Sequence, residues 1–259
     1  LEIYFILKKY KIDLVHTHAS KATQIFYYLN KFMKLIHVAT KHNARKGKIF
    51  NKIKYVTAVS NDSAKTIKND NVKIIYNGIQ ALEIKDNTQK NEVFTITAIG
   101  RLDKIKGFDI VLESFKKAQK KRKDINLIIV GNGEQIKSEN IYDIGATNTP
   151  LNWYYSVDYV INSNRQSYFD LSVIEAVSTG TPIILANNFG HNYYKDKSSG
   201  IITFNSNNQE ELEDILLNTI KKEQEKNSEN INLYNDELSD IKYYERFKQF
   251  FESLEWKKY

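Results

Sequence analysis

The sequence has 259 residues and contains no cysteine, two prolines and ten glycines. The absence of cysteine excludes disulfide frameworks, thiolate metal sites and a cysteine nucleophile. So little proline and glycine argues against a disordered or fibrous chain. No apolar run approaches the roughly 20 residues that span a bilayer, and residues 1–7 lack the cationic start of a signal peptide. We therefore expect a globular protein located in the cytoplasm.

The formal net charge is +7, but most of the basic residues are interspersed with 31 acidic ones. Residues 41–54 are more basic, and their lysines alternate with Ile49, Phe50 and Ile53. Two interpretations are open: a solvated basic face, or peripheral contact with the inner face of an anionic plasma membrane. No motif that combines aromatic and basic residues in the manner of an RNA-binding domain is present, so no nucleic-acid partner is expected.

Apolar runs and helical spacing alternate along the chain. Strands are predicted at residues 12–15, 36–40, 55–59, 72–76, 93–99, 127–130, 159–161 and 183–186. Helices are predicted from Ala22, from Ser60 to about Lys68, from Phe108, from Leu171, from Leu212 and from Leu238. This alternation predicts an α/β fold with two Rossmann-like parallel-sheet lobes, in which ligands bind beyond the carboxyl ends of the strands.

The stretch 157–186 reads as a strand, a polar loop, a helix and another strand. Gly180 and Pro182 end the helix, whose N-terminus follows the polar loop and offers unpaired N–H groups to an anion. Ser167 and Asp170 precede the helix with capping-box spacing, so one interpretation is that they satisfy its first N–H groups.

The same stretch resembles a motif of retaining glycosyltransferases with the GT-B fold, the glycogen-synthase-like group. That family has a serine after the strand, then Glu-Gly-Phe-Gly-Leu, then Glu-Ala and Gly-x-Pro. Here the corresponding residues are Ser163, Ser167-Tyr168-Phe169-Asp170-Leu171, Glu175-Ala176 and Gly180-Thr181-Pro182. The resemblance implies that Glu175 binds the nucleotide ribose. Ser167 replaces the glutamate that reaches the donor sugar, and Phe169, Asp170 and Leu171 are implied to lie in the donor site.

A second resemblance lies in the loop after the strand 93–99. Gly100-Arg101 and Lys106-Gly107 match the family pattern Gly-Arg-(four residues)-Lys-Gly, in which the arginine and lysine bind the diphosphate. The resemblance implies that Arg101 and Lys106 stabilise the leaving diphosphate without a metal. Gly100 and Gly107 would let the backbone approach it closely. The alternative interpretation of this Gly-Arg and Lys-Gly pattern is a basic loop on the protein surface.

Three further positions resemble family sites. Gly131 and Gly133 match a G-x-G near the nucleotide, although a common tight turn explains them equally, and Ile144 resembles a short loop beside the base. His42 matches a histidine that contacts the donor sugar; the alternative is a structural histidine. We expect His16 and His18, two residues apart, to point to opposite faces of their strand and not to bind one metal together.

The resemblance implies four segments. These are a truncated N-terminal acceptor-side lobe at 1–80, a linker at 81–91, a nucleotide-sugar-binding lobe at 92–235, and a helix at 236–259 that returns to the first lobe. Further strands of the first lobe are not seen before His16, and the chain begins with leucine, so we expect a fragment of a longer protein.

The resemblance also implies a function. The chain would transfer a sugar, with retention and without a metal or other cofactor, from a UDP- or GDP-sugar to a hydroxyl of a glycan or lipid-linked acceptor. Surface polysaccharide or glycoconjugate biosynthesis is the implied setting. Because Ser167 replaces a family glutamate, the alternative is a non-catalytic nucleotide-sugar-binding module or a subunit of a split transferase.

Overall fold

The computed structural model describes residues 2–81, 91–221 and 225–255 and divides the chain into two compact units. Residues up to Asn77, together with those from Tyr243 onward, form the first unit, and Gly78–Lys242 form the second. The predicted linker 81–91 lies outside the described residues except for its two terminal positions.

The first unit contains a four-stranded parallel sheet with the order β1-β2-β3-β4. Its strands are β1 (Leu14–His18), β2 (Ile36–Lys41), β3 (Tyr55–Ala58) and β4 (Val72–Ile74). Its helices are α1 (Glu2–Lys9), α2 (Ala19–Met33), a 3₁₀ helix (Lys48–Lys52) and α3 (Asn61–Ala64). The Ser60 hydroxyl caps α3 by accepting from the Ser63 N–H, but the helix ends at Ala64 and not near Lys68 as predicted.

The last helix, α9 (Asp240–Glu252), continues into the first unit from Tyr243. Phe247, Phe250 and Leu254 pack with Val38 and Ile75 in a buried cluster. Ile241 and Tyr244, nearer the start of the same helix, are 63% and 64% exposed. The helix also begins later than position 236, since Tyr234–Leu238 form a π-helical segment before it.

The apolar residues of the basic segment 41–54 pack toward the core of the first unit, where Ile49 is partly buried. Phe50 and Ile53 are buried in the core of the first unit, and Lys41 is buried with its ammonium group donating to the carbonyls of Asn43 and Ser63. These side chains are therefore not available to a membrane surface. Among the residues that the structure describes, no helix is long and apolar enough to cross a bilayer.

The second unit contains a six-stranded parallel sheet with the order β10-β9-β8-β5-β6-β7. Its strands are β5 (Phe94–Ile99), β6 (Ile125–Val130), β7 (Ile141–Gly145), β8 (Tyr159–Asn162), β9 (Ile183–Asn187) and β10 (Ile201–Asn205). Its helices are α4 (Phe108–Lys121), α5 (Pro150–Tyr155), α6 (Leu171–Ser178), α7 (Gln209–Asp214) with a π-helical extension (Ile215–Thr219), and α8 (Ser228–Leu233); a 3₁₀ helix covers Phe189–Tyr194. Ile144 therefore belongs to strand β7 and not to a loop as predicted.

The strand order reverses next to β5. This strand pairs with β6 on one side and with β8 on the other, although β6 and β7 come between β5 and β8 in the chain. The central strands are almost fully buried, and the core extends along β5, β6, β8 and β9 to α4 and α7. Such a reversal leaves a crevice beyond the carboxyl ends of the two diverging strands, which is where ligands bind in open parallel sheets.

Candidate functional site

The loops after β5 and β8 meet at this reversal. The Ser163 hydroxyl lies 2.9 Å from the Lys106 carbonyl oxygen and 3.0 Å from that of Gly107, so it can donate to either. Gly107 has φ +70°, and a Cβ added there would lie 2.2 Å from the Ser163 carbonyl oxygen. Only glycine fits this contact, because the backbone is left-handed and the neighbouring atom belongs to the main chain.

The loop after β6 packs against the loop after β5. A Cβ on Gly131 would lie 1.6 Å from the Gly100 carbonyl oxygen, and one on Gly133 would lie 2.3 Å from the Leu102 Cβ. The Gly131 N–H also donates to the carbonyl of Gly145, at the end of β7. The predicted site glycines therefore join three neighbouring loops at the carboxyl edge of the sheet. Ile144, on β7, is 40% exposed beside them.

The two predicted cations differ in their surroundings. The Arg101 side chain is 71% exposed and lies 3.4 Å from Asp103. Lys106 is half-buried, and its backbone N–H donates to the Asp103 carboxylate at 2.9 Å. Helix α4 begins directly after this loop, and its N-cap, Gly107, has no side chain to satisfy the first N–H groups. An exposed guanidinium, a lysine and a helix N-terminus without an N-cap side chain form an arrangement suited to an anion.

Helix α6 is also uncapped by a side chain. Its N-cap is Asp170, whose side chain accepts no hydrogen bond from the helix. The capping-box interpretation of Ser167 was wrong, because the helix begins only at Leu171 and the Ser167 hydroxyl is buried without a hydrogen-bond partner. Leu171, in the first turn, is 50% exposed. The Val173 N–H donates to the Asp170 carbonyl at 3.2 Å, and no N-cap side chain accepts from the N–H groups of Leu171 and Ser172.

The Asp170 carboxylate is turned toward neighbouring loops. Its Oδ2 accepts from the side-chain amide of Asn164 and lies 3.4 Å from His191 Nε2. Burial acts to raise the pKa of Asp170, but His191, the charge of Lys106 and the Asn164 bond outweigh it and lower the pKa. Asp170 is therefore a carboxylate at neutral pH, close enough to Lys106 to be influenced by its charge.

Phe169 has an unusual backbone conformation, with φ +122°. A Cβ on Gly190, in the loop after β9, would lie 2.6 Å from the Phe169 nitrogen, and the Gly190 N–H donates to the Ser167 carbonyl at 3.0 Å. The Phe169 ring stacks on Tyr194 with a centroid separation of 5.4 Å. This packing holds a strained residue immediately before α6, as is common at binding sites.

Glu175 lies one turn into α6, and its carboxylate is hydrogen-bonded to Tyr154, a residue that the sequence analysis did not identify. Burial raises the pKa of Glu175, and the hydrogen bond with the Tyr154 hydroxyl offsets only part of the rise. Tyr154, on α5, is itself buried, and burial next to Glu175 raises its pKa well above 10. The tyrosine therefore remains a donor and fixes the Glu175 carboxylate.

His42 lies in the first unit, directly after β2. Its Nε2 is 2.9 Å from His18 Nδ1, and burial followed by the charge of His18 lowers its pKa. His16 and His18 do not point to opposite faces, because residues two apart in a strand share one face; their ring centroids are 4.3 Å apart. Across the described residues, no group of three or more His, Asp or Glu side chains could hold a metal ion.

The structure thus brings together the predicted residues of the second unit and adds several that were missed. Tyr154, Asn164 and Asn188 carried no motif, whereas Gly190, His191 and Asn192 lie where relatives carry a glycine-rich loop that contacts the donor sugar. The Asn188 amide donates to the carbonyl of Asn164, which links the loops after β8 and β9. The available signal was positional, since Asn164 and Asn188 lie three and two residues after predicted strands. Such residues collect at the carboxyl edge of a parallel sheet.

Comparison with known proteins identifies the family of this region. Residues 93–222, half of the chain, match the family described as Glycosyl transferases group 1. An "Uncharacterized glycosyltransferase" from Haemophilus influenzae is 32% identical over 119 residues, which are 40% of this chain and 32% of that protein. An "Uncharacterized 41.2 kDa protein in cps region" from Klebsiella pneumoniae is 31% identical over 138 residues, which are 47% of this chain and 38% of that protein. The matched segments therefore span about a third of the length of these relatives.

A solved structure supports the fold over nearly the whole chain. The Anabaena protein Alr3699/HepE, in complex with UDP, superposes with a TM-score of 0.82 over 98% of this chain and 81% of that one. The identity is 15%, so this likeness concerns the fold alone. The match of half the sequence to the family and the arrangement of its glycine loops and cations at the strand reversal lead to one conclusion: this chain belongs to the group 1 glycosyltransferases.

Proposed function

We propose that the chain transfers a sugar from a nucleoside diphosphate sugar, UDP- or GDP-linked, to a hydroxyl group. The observation that carries the proposal is the strand reversal between β5 and β8, where two side-chain-uncapped helix N-termini lie beside Lys106 and Arg101. A diphosphate placed there would be stabilised by N–H groups and by two cations as its bond to the sugar breaks.

The proposed role of each side chain follows from its chemistry. Arg101 can bridge two phosphate oxygens because its guanidinium is planar, and Lys106 supplies a point charge. Glu175, fixed by Tyr154, offers an acceptor for the ribose hydroxyls. Glycines 100, 107, 131 and 133 let backbone approach the donor. The role that the family resemblance implies for His42, orientation of the donor sugar, stays a prediction.

Retention and independence from metals are part of the proposal, because cations and N–H groups would replace a metal at the leaving group. A role in surface polysaccharide or glycoconjugate synthesis, with a glycan or lipid-linked acceptor, is supported by the relative named for a cps region. Metal independence is tested by turnover after treatment with EDTA, and retention by the anomeric configuration of the product in NMR spectra.

The decisive experiment measures thermal unfolding with UDP, GDP, ADP and their sugars, since a ligand of the folded state must stabilise it. We expect one nucleotide family to stabilise the chain and Lys106→Ala to remove most of that shift. Lys106→Ala should also lower turnover by about 100-fold or more, as loss of one charge-stabilising donor does. Lys104→Ala, in the same loop, is the matched control. Stabilisation by no nucleotide, or equal loss in both variants, would contradict the proposal.

A further inference from the structure

We infer that a cavity at the amino edge of the first unit's sheet binds an organic phosphate, with lysines around the phosphate group and two tyrosines beside the rest of the molecule. This site is separate from the proposed donor groups, which lie in the second unit.

The cavity has a volume of about 600 Å³, which is within the usual range of ligand-binding pockets. Its lining includes the first residues of two strands, Ile36 of β2 and Tyr55 of β3, and Asp13 directly before β1. His42 follows the other end of β2, so His37 and His42 are about 16 Å apart along an extended strand. A ligand in the cavity therefore lies away from the histidines at the carboxyl edge.

Four lysines line the cavity, and they come from two different parts of the first unit. Lys31 and Lys34 lie at the end of α2, whereas Lys52 and Lys54 lie at the end of the 3₁₀ helix and shortly after it. The dipole of α2 favours cations at its C-terminus, which explains Lys31 and Lys34 without a ligand. It does not explain why two further lysines line the same cavity.

Lys31 and Lys52 converge on one aromatic ring. Nζ of Lys31 lies 5.5 Å from the ring centroid of Tyr27, and Nζ of Lys52 lies 5.8 Å from the same centroid. Lys54 is paired with the Glu255 carboxylate at 2.7 Å, but among the residues that the structure describes no carboxylate forms an ion pair with Lys31 or Lys52. Two ammonium groups near one ring repel each other, so an anion bound between them would be stabilised by both.

The other polar groups of the cavity also favour an anionic ligand. Asp13 and Glu255 supply two carboxylates against the four lysines, so the lining carries a positive charge. His37 is 8% exposed, and its Nε2 lies 2.9 Å from the Thr17 hydroxyl oxygen. Within the described chain its Nδ1 has no hydrogen bond, so this buried nitrogen can bind a polar group of the ligand.

The kind of anion follows from the side chains present. Lysine binds phosphate as a point charge, and several lysines match the nearly two negative charges of a phosphate monoester. Tyr27 and Tyr55 add aromatic surface on which an apolar part of the ligand can pack. Together these groups fit a phosphate ester with an apolar body.

Calorimetry with phenyl phosphate tests the inference, with inorganic phosphate and phenol as comparison ligands. We expect phenyl phosphate to bind most tightly, because inorganic phosphate lacks the aromatic body and phenol lacks the charge. Tyr27→Leu should bring the affinity for phenyl phosphate close to that for inorganic phosphate. Absence of phenyl phosphate binding, or equal affinity for both phosphates in the unsubstituted protein, would overturn the inference.

Substitutions of exposed lysines locate the bound phosphate. Lys31→Gln and Lys52→Gln should each weaken phenyl phosphate binding by about tenfold, as loss of a charged hydrogen-bond partner does. The matched controls are Lys21→Gln, on α2, and Lys48→Gln, in the 3₁₀ helix, which remove the same charge from positions outside the cavity lining. The controls should change the affinity by about twofold or less, because salt screens exposed charges that do not contact the ligand. Equal losses in both sets would overturn the inference.

Two further measurements separate this site from the proposed donor site. Lys106→Ala should leave the affinity for phenyl phosphate unchanged, and a loss in this variant without a loss in Lys31→Gln would overturn the inference. Binding of phenyl phosphate together with no stabilisation by any nucleotide would support the inference and contradict only the proposed function.

Vesicles of phosphatidylcholine, with and without phosphatidylglycerol, identify the source of the phosphate. If Lys31→Gln weakens sedimentation with the anionic vesicles more than Lys21→Gln does, the ligand is a lipid headgroup. If the two variants sediment alike while only Lys31→Gln loses phenyl phosphate binding, the ligand is a soluble ester.

Discussion

The sheet of the first unit follows the chain in the order β1-β2-β3-β4, whereas the sheet of the second unit reverses direction between β5 and β8. Both sheets are parallel, and both end in loops that carry polar residues. At the reversal, however, loops leave neighbouring strands in opposite directions, and a ligand can lie between them. Strand order, more than composition, therefore explains why the groups that we propose to bind the diphosphate lie in the second unit.

The two carboxyl edges also differ in chemistry. At the edge of the second unit, glycines pack closely against the backbone of neighbouring loops. The same edge carries Arg101, Lys106 and two helix N-termini without an N-cap side-chain bond. The edge of the first unit carries His16, His18 and His42, whose pKa values are all lowered by burial and which are therefore neutral at pH 7. The edge of the second unit therefore suits a charged ligand, whereas the edge of the first unit offers neutral donors and acceptors. A glycine substitution should therefore destabilise the second unit, and a change of pH should act on the first unit.

The largest effect is expected at Gly107, where the second unit depends on close backbone approach. Gly107→Ala should destabilise the protein by about 3 kcal/mol or more, because its Cβ would lie 2.2 Å from a main-chain oxygen in a left-handed conformation. Gly145→Ala is the matched control, with φ +72° and no atom within 4 Å of the added Cβ. The control should cost about 1 kcal/mol in urea unfolding. Equal costs would show that strain, and not the contact, governs Gly107.

A smaller effect should follow acidification and arise in the first unit. Burial lowers the pKa of His37 from 6.5 to about 4. The unfolded chain then binds more protons than the folded one below pH 6.5, so stability is full above that pH and falls as pH decreases toward 4. Between pH 7.5 and pH 5 this histidine should account for a loss of about 1.5 kcal/mol after solvent screening.

Urea titrations at several pH values measure this loss, and His37→Gln provides the comparison. The substitution removes the titrating group and retains a partner for the Thr17 hydroxyl, which lies 2.9 Å from His37 Nε2. The variant should therefore lose less stability on acidification than the unsubstituted protein. An unchanged pH dependence in His37→Gln would assign the effect to other groups, such as His16, whose pKa is also lowered to about 4.

Most of the fold was predictable because its central elements have strong local signals. Buried strands such as Phe94–Ile99 and the amphipathic helix Phe108–Lys121 follow directly from apolar spacing. Strands β7 and β10 were missed because they lie at sheet edges, where partly exposed residues weaken the apolar pattern. Short helices such as α5 give too few turns for a period to be recognised.

The candidate site also has one part that could be predicted from the sequence and another that could not. The loop from Gly100 to Gly107 follows a predicted strand and precedes a predicted helix, so its place at the carboxyl edge could be foreseen. The contact between Asp170 and His191 could not, because it joins two loops through tertiary packing and leaves no periodic trace in the sequence. The hydrogen bond between Tyr154 and Glu175 connects two helices and is hidden for the same reason.

The smallest predicted effect concerns an ion pair that ties together the two sides of the strand reversal. Arg165, in the loop after β8, makes two 2.7 Å contacts with Asp109 in the first turn of α4. Lysine cannot reproduce this two-point geometry, so Arg165→Lys should destabilise the protein by about 1 kcal/mol in urea unfolding. Lys121→Ala, which removes a single-point pair with Glu213, should cost less. If the two variants were equally stable, the Arg165 pair would act as an ordinary surface contact, and the loops at the reversal would be held together by the Ser163 and Gly107 contacts instead.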